Sequence, residues 1–200
     1  MEAAALTSLQ RLYDWSMRSA AHRGALPTLF LISLIEASIF PIPPDVLIIP
    51  MVLAARDRAW LIAGVATVGS VLGGFLGYGI GWGLFETIGR PILEFYGYAA
   101  KFEEFAAAYN KWGAWIVAAG GFTPFPYKVI TIASGTTSLA LATFGLASLV
   151  SRAGRFFLVA ALLYWFGAPI RRFIEAWLPQ LAALFFLLLF GGFLAASYLF

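Results

Sequence analysis

Five charged side chains lie within apolar stretches of this sequence, where they could do chemistry. Glu36 and Asp45 flank a cluster of prolines in the segment EASIFPIPPDVLIIP. Lys128 follows a second proline-rich stretch, and Arg152 and Arg155 are three residues apart, which places them on one face of a helix. A buried carboxyl can exchange a proton near neutral pH, and the planar donor fork of arginine suits a phosphate group. These residues therefore predict a site for an anion coupled to a proton.

The sequence does not predict a catalytic centre of any ordinary kind. It contains no cysteine, and His22 is its single histidine. We find no nucleophile with a matching base and no set of metal ligands, so we predict no catalytic residue, no metal and no cofactor. The glycines Gly69, Gly73, Gly77 and Gly81 recur every four residues in an apolar segment without a preceding strand, a pattern that predicts close helix packing and not a nucleotide loop.

The composition is that of an integral membrane protein. Hydrophobic residues make up 62% of the 200 residues and charged residues only 12%, against about 25% in an ordinary soluble domain. Residues 59–85 and 177–200 carry no charge and are each long enough to span a bilayer, and residues 141–168 span if the two arginines face protein or water. Residues 1–23 are predicted to form an amphipathic helix on the membrane surface, and residues 86–112 an amphipathic connector.

Residues 26–55 and 113–140 are predicted to form two re-entrant hairpins. Each has an apolar arm of about a dozen residues, then prolines, then a second such arm, and arms of about 18 Å cannot cross a hydrocarbon core of about 30 Å. Non-helical backbone is tolerated at membrane depth where protein or a watery cavity surrounds it. The predicted tips lie near 41–45 and 124–128, and they contain Pro41, Pro43, Pro44, Pro124 and Pro126.

The two tips resemble each other in sequence. The segments PIPPDV and PFPYKV match at both outer prolines and at the valine, with Asp45 in the first opposite Lys128 in the second. One span separates the hairpins, so they enter the membrane from opposite sides. The predicted fold is an all-α polytopic membrane protein, an inverted repeat of two opposed hairpins with about three transmembrane helices and amphipathic interfacial helices.

The tip segments also carry a family resemblance. EASIFPIPPDVLIIPMVLAA, GSVLGGFLGYGIG, GGFTPFPYKVITIASG and SRAGRFF resemble the DedA family, in particular its YqaA-like branch, which shares a fold with eukaryotic VTT-domain scramblases; the resemblance covers about residues 24–170. It implies a bacterial inner-membrane protein that returns undecaprenyl phosphate or another phospholipid across the membrane, with proton-motive force as the drive. Family members carry two arginines around the second tip, where this chain has Gly121 and Lys128. Arg152 and Arg155 are our candidates for that role, which leaves the lipid open.

Each charged residue has a structural interpretation beside the functional one. Glu36 and Asp45 are candidates for proton coupling, but Glu36 could instead accept backbone hydrogen bonds and Asp45 could cap the second arm. Lys128, Arg152, Arg155 and Ser151 are candidates for binding the lipid phosphate; the arginines could equally form fixed ion pairs with Glu36 or Asp45. We further expect Asp45 and Lys128 to pair across the empty site.

Three classes of function remain on this sequence: a lipid flippase or scramblase, which we favour; a non-catalytic factor that organises the membrane or maintains the envelope; and, less favoured, an intramembrane enzyme acting on lipids. The net charge of +3 is small and spread out, which predicts lipid partners and no nucleic acid. The distribution of lysine and arginine places the N-terminus in the cytoplasm and the C-terminus outside. A homo-oligomer is left open.

Overall fold

The computed structural model of the chain describes residues 24–39, 43–123, 125–167 and Pro169. The predicted surface helix at 1–23 and the predicted span at 177–200 lie outside these residues. The tip prolines Pro41 and Pro124 also lie outside them.

The described part of the chain is helical and contains no strand, which confirms the all-α class. Its helices, in chain order, are α1 (Ala25–Glu36), α2 (Asp45–Ala54), a 3-10 turn (Arg56–Arg58), α3 (Ala59–Leu84), a π-helical turn (Phe85–Gly89), α4 (Arg90–Phe95), α5 (Ala99–Phe122), α6 (Tyr127–Thr136) and α7 (Leu141–Gly167).

Two of these helices are long and apolar enough to cross a membrane. The first is the continuous helix Arg56–Phe95, which contains α3 and has 40 residues, and the second is α7, with 27 residues. The first includes the span predicted at 59–85 and continues to Phe95, within the predicted connector at 86–112, and the second corresponds to the span predicted at 141–168. About 20 apolar residues suffice for one crossing, so both helices satisfy the length requirement.

Three of the four helices beside the two tips are short. α1 has 12 residues, and α2 and α6 have 10 each. At a rise of 1.5 Å per residue they are about 15–18 Å long, too short to cross a hydrocarbon core of about 30 Å. These lengths agree with arms that turn back, whereas the re-entrant placement of the hairpins and their inverted repeat stay predictions.

The helix that leads into the second tip is longer than the predicted arm. α5 begins at Ala99, within the predicted connector at 86–112, and continues to Phe122. Its first half carries Lys101, Glu103 and Glu104, and its second half is apolar. A helix can carry charged residues on an exposed face. The second half of the predicted connector is therefore part of the same helix that reaches the second tip.

α3 is the central helix, and its glycines admit the backbones of its neighbours. It packs against both α1 and α6. A Cβ atom added to Gly73 would collide with the Leu34 carbonyl oxygen, and one added to Gly81 with that of Ile132. The glycine stripe thus forms close contacts with α1 and α6, which is the close helix packing that the sequence predicts.

Two buried apolar clusters flank the predicted site. The first joins α1, α2, α3 and the second half of α7, which contributes Phe156. The second joins α5, α6 and the first half of α7, which contributes Phe144. Arg152 lies between these two phenylalanines along α7, so it occupies the junction of the two halves of the fold.

Candidate functional site

An ion pair connects the end of α1 with the middle of α7. The Nη2 atom of Arg152 donates to the Oε2 atom of Glu36 at 3.0 Å. The side chain of Arg152 is 1% exposed and that of Glu36 is 15% exposed. The pair is therefore almost completely enclosed by protein, where an unpartnered charge would be costly.

Further contacts hold the guanidinium of Arg152 on every side. Its Nε atom donates to the Ser70 hydroxyl of α3 at 2.7 Å, and its Nη1 atom to the Gly121 carbonyl at 3.5 Å. The rings of Tyr127 and Phe156 lie over the guanidinium, and their centroids are 4.7 and 4.6 Å from its central carbon, Cζ. Arg152 thus connects α1, α3, α5, α6 and α7.

A second ion pair lies beside the first. The Nη2 atom of Arg155 donates to the Oδ2 atom of Asp45 at 2.6 Å, and its Nη1 atom donates to the Thr123 carbonyl at 3.1 Å. The side chain of Arg155 is 21% exposed and that of Asp45 is 20% exposed. Asp45 is the first residue of α2 and Thr123 directly follows α5, so Arg155 bridges the two tips.

Lys128 does not pair with Asp45 as expected. Its ammonium donates instead to the backbone carbonyl of Ile39 at 3.3 Å, just beyond α1. Asp45 pairs with Arg155, because the α7 face that carries Arg152 and Arg155 reaches the first tip. Asp45 is also not the cap of α2: that position belongs to Pro44, and no side chain caps the helix.

The remaining predicted site residues support the backbone around the charges. The Ser151 hydroxyl is buried and donates to the Ser148 carbonyl at 3.2 Å, and its side chain fills the space beside Gly121. Pro44 and Pro126 immediately precede α2 and α6. The carbonyl of Pro43 accepts a hydrogen bond from the Val46 amide in the first turn of α2.

Tyr127 and Ser70 were missed by sequence reasoning. Tyr127 is fully buried, and its hydroxyl donates to the hydroxyl of Ser148 while its ring covers Arg152. Ser70 is a lone hydroxyl within a glycine-rich apolar span and is fully buried. A polar residue in that position requires a partner in the protein interior, which is the signal that could have identified it.

The arrangement has the chemistry of an anion site. Two carboxylates and three basic groups meet at the two tips, which leaves an excess of one positive charge when all are ionised. Glu36 interacts electrostatically with Arg152, Arg155, Asp45 and Lys128. Among the residues that the structure describes, no group of three or more His, Cys, Asp or Glu side chains is placed to hold a metal ion.

Comparison with known proteins places this site within a family. The model of the VTT domain matches residues 42–165, which include Asp45, Lys128 and both arginines. A protein of Haemophilus influenzae is 39% identical over 168 residues, covering 82% of this chain and 87% of its own length, and one of Histophilus somni is 38% identical with the same coverage. Both are described as uncharacterized proteins. No solved structure matches the chain significantly. Because the domain covers more than half of the chain and the relatives align over most of it, the chain belongs to the VTT-domain family, also called the DedA or SNARE-associated family.

Proposed function

We propose that this protein transports a phosphate-bearing lipid across the bacterial inner membrane, as a flippase or scramblase without enzymatic activity. The VTT-domain family is membrane-associated and has been proposed to be transporter-like. The proposed substrate is a lipid phosphate such as undecaprenyl phosphate or a phospholipid. The proposed topology is multi-pass, with a cytoplasmic N-terminus.

The observation that carries the proposal is the concentration of charge at the two tips. Arg152, Arg155 and Lys128 gather there with only two carboxylates, between helices whose outer faces are apolar. A buried ion pair adds little stability by itself, because the loss of hydration offsets the attraction between the charges. Such charges are rare in membrane segments and generally mark a substrate or ion pathway.

Exchange of partners supplies a transport mechanism. A lipid phosphate that enters between the tips competes with a carboxylate for a guanidinium. Protonation of Glu36 or Asp45 removes that competitor, so proton entry and phosphate binding favour each other by linkage. Two hairpins that approach from opposite sides would let small movements expose the site to either leaflet.

Purified protein in liposomes tests this function. Vesicles would contain a fluorescent prenyl phosphate in one experiment and a fluorescent glycerophospholipid in another, and the outer-leaflet fraction would be measured over time. Transport predicts faster equilibration of at least one lipid, with the lipid chemically unchanged. An enzyme would alter the lipid, and a membrane-organising factor would leave it in its leaflet.

A pair of variants makes the assay specific to the site. Arg155→Gln removes the bridge between the tips and should abolish most of the transport. Arg90→Gln is the matched control, since Arg90 forms an exposed pair with Glu86 one helical turn away. Equal rates for both variants and the native protein would contradict the assignment of the site.

A further inference from the structure

We infer that the two arginines have different roles: Arg155, together with Lys128, binds the phosphate of the lipid, whereas Arg152 is a positioning residue that stays bound to Glu36. This inference rests on the proposed function and assigns the ligand contacts within its site. Arg152 and Arg155 are both on α7 and three residues apart, so their positions in the sequence do not distinguish their roles. Their surroundings in the structure separate them.

Arg152 has little capacity left for a ligand. All three of its guanidinium nitrogens donate to protein acceptors, on Glu36, Ser70 and Gly121. Aromatic rings lie over its guanidinium, and 1% of the side chain is exposed. A phosphate could reach this guanidinium only if the helices that enclose it separated. This residue therefore fixes the position of α1 against α3 and α7.

Arg155 is accessible and has exchangeable partners. Its side chain is 21% exposed, and it donates to one carboxylate oxygen of Asp45 and to the carbonyl oxygen of Thr123. A phosphate oxygen can replace the carboxylate with the same type of charge-assisted hydrogen bond, and a guanidinium can bind two phosphate oxygens at once. Binding at Arg155 requires the loss of a single ion pair.

Lys128 supplies a second positive charge at the same tips. Its partner is a neutral carbonyl at 3.3 Å, on Ile39, and within the described ranges it forms no ion pair. A neutral acceptor leaves the ammonium without a direct carboxylate partner among the described residues, although Glu36 lies near enough to interact with it electrostatically. An anion that reaches Arg155 beside Asp45 therefore gains the attraction of Lys128 as well.

The inference predicts that Asp45, and not Glu36, competes with the ligand. Replacing Asp45 by asparagine removes the competing charge and should raise the affinity for lipid phosphate several-fold. Replacing Arg155 or Lys128 by glutamine removes a charge-assisted contact and should lower the affinity by about tenfold or more. Arg152→Lys keeps a positive charge at its position and should change the affinity by less than about threefold where the protein stays folded.

The binding experiment uses the full chain in phosphatidylcholine nanodiscs, with undecaprenyl phosphate as the probe. Affinities would be compared for the native protein, Arg155→Gln, Lys128→Gln, Arg152→Lys and Asp45→Asn, each checked by size-exclusion chromatography. A tenfold loss for Arg155→Gln with near-native affinity for Arg152→Lys supports the inference. Equal losses for these two variants, or native affinity for Arg155→Gln, would overturn it.

Chemical footprinting tests the inference in the native protein, independently of any folding defect. A dicarbonyl reagent that modifies arginine would be applied with and without undecaprenyl phosphate, and modification would be located by mass spectrometry. We expect Arg155 to be modified and then protected by the lipid, and Arg152 to stay unmodified in both states. Modification of Arg152 that the lipid prevents, or modification of Arg155 that the lipid does not affect, would contradict the assignment.

Two further measurements distinguish a failure of the proposed function from a failure of the roles assigned to the two arginines. Inorganic phosphate at high excess should not displace the lipid, and displacement at concentrations comparable to those of the lipid would identify a free-phosphate site and overturn the lipid assignment. A native protein that neither binds nor transports lipid phosphate would overturn the proposed function and, with it, this inference. Binding and transport that depend equally on both arginines would overturn only the division of roles.

Discussion

Glu36 and Arg152 are separated by 116 positions in the sequence, yet their side chains meet at 3.0 Å inside the protein. Beside them, Asp45 and Arg155 form a second pair that is partly open to the surroundings. Helix α7 thus takes part in one enclosed ion pair with α1 and in one accessible ion pair with α2. This difference determines what each residue contributes to stability and to binding.

Neutralising the enclosed carboxylate should cost more stability than neutralising the accessible one. Glu36→Gln leaves the charge of Arg152 buried without compensation and should lower the free energy of unfolding by about 3 kcal/mol. Asp45→Asn should cost about 1 kcal/mol or less, because that pair is partly exposed and its charges are less desolvated. Thermal unfolding in detergent measures both. Glu86→Gln, in the exposed pair with Arg90, is the control and should change stability little. A larger loss for Asp45→Asn than for Glu36→Gln would contradict this ranking.

Methyl groups on α3 should have opposite effects at two neighbouring glycines. Gly81→Ala places a Cβ atom against the Ile132 carbonyl and should destabilise the packing of α6 on α3. At Gly79 an added Cβ meets no atom within 4 Å, so alanine should be neutral or stabilise the helix by up to about 1 kcal/mol. Melting temperatures of the two variants in the same detergent compare them directly. Equal melting temperatures would show that α6 does not rest on Gly81.

The hydroxyl of Tyr127 should matter for stability apart from its ring. Tyr127→Phe keeps an aromatic face over Arg152 but leaves the buried Ser148 hydroxyl without the donor it has now. We expect a loss of about 1–2 kcal/mol. The double variant Tyr127→Phe with Ser148→Ala should recover part of this loss, since it removes both members of the hydrogen bond. Tyr96→Phe, whose side chain is exposed, is the control.

Composition and hydrophobic patterning predict much of this fold. The uncharged segment 59–85 corresponds to α3, which ends at Leu84. The glycines that recur there every four residues, among them Gly73 and Gly81, predict the close approach of neighbouring backbones. Both features follow from local rules, namely the length needed to cross a bilayer and the volume of a side chain. The start of α5 at Ala99 was not predicted, because an exposed charged helix and an interfacial connector have the same polarity.

The pairing of the charges could be predicted only in part. The spacing of Arg152 and Arg155 shows that they share a face, and fixed pairs with Glu36 and Asp45 were among the alternatives. The sequence does not show which base reaches which acid, because residues over 100 positions apart are brought together by the packing of α1, α2 and α7. The match between the two tips favoured Asp45 with Lys128, whereas the geometry of α7 brings Arg155 to Asp45.

The long separation of Glu36 from Arg152 also bears on how the chain is assembled during translation. At about 5–20 residues per second, the ribosome needs roughly 6–23 seconds to extend the chain by the 116 positions from Glu36 to Arg152. For most of this interval both carboxylates have been synthesised but their arginines have not. An unpaired carboxylate is costly within hydrocarbon, so a first tip at the depth that the predicted re-entrant hairpin requires would have to stay outside the hydrocarbon until α7 is made. Completion of α7 is therefore the step that supplies the ion-pair partners of both carboxylates, and a chain truncated before Arg152 lacks them.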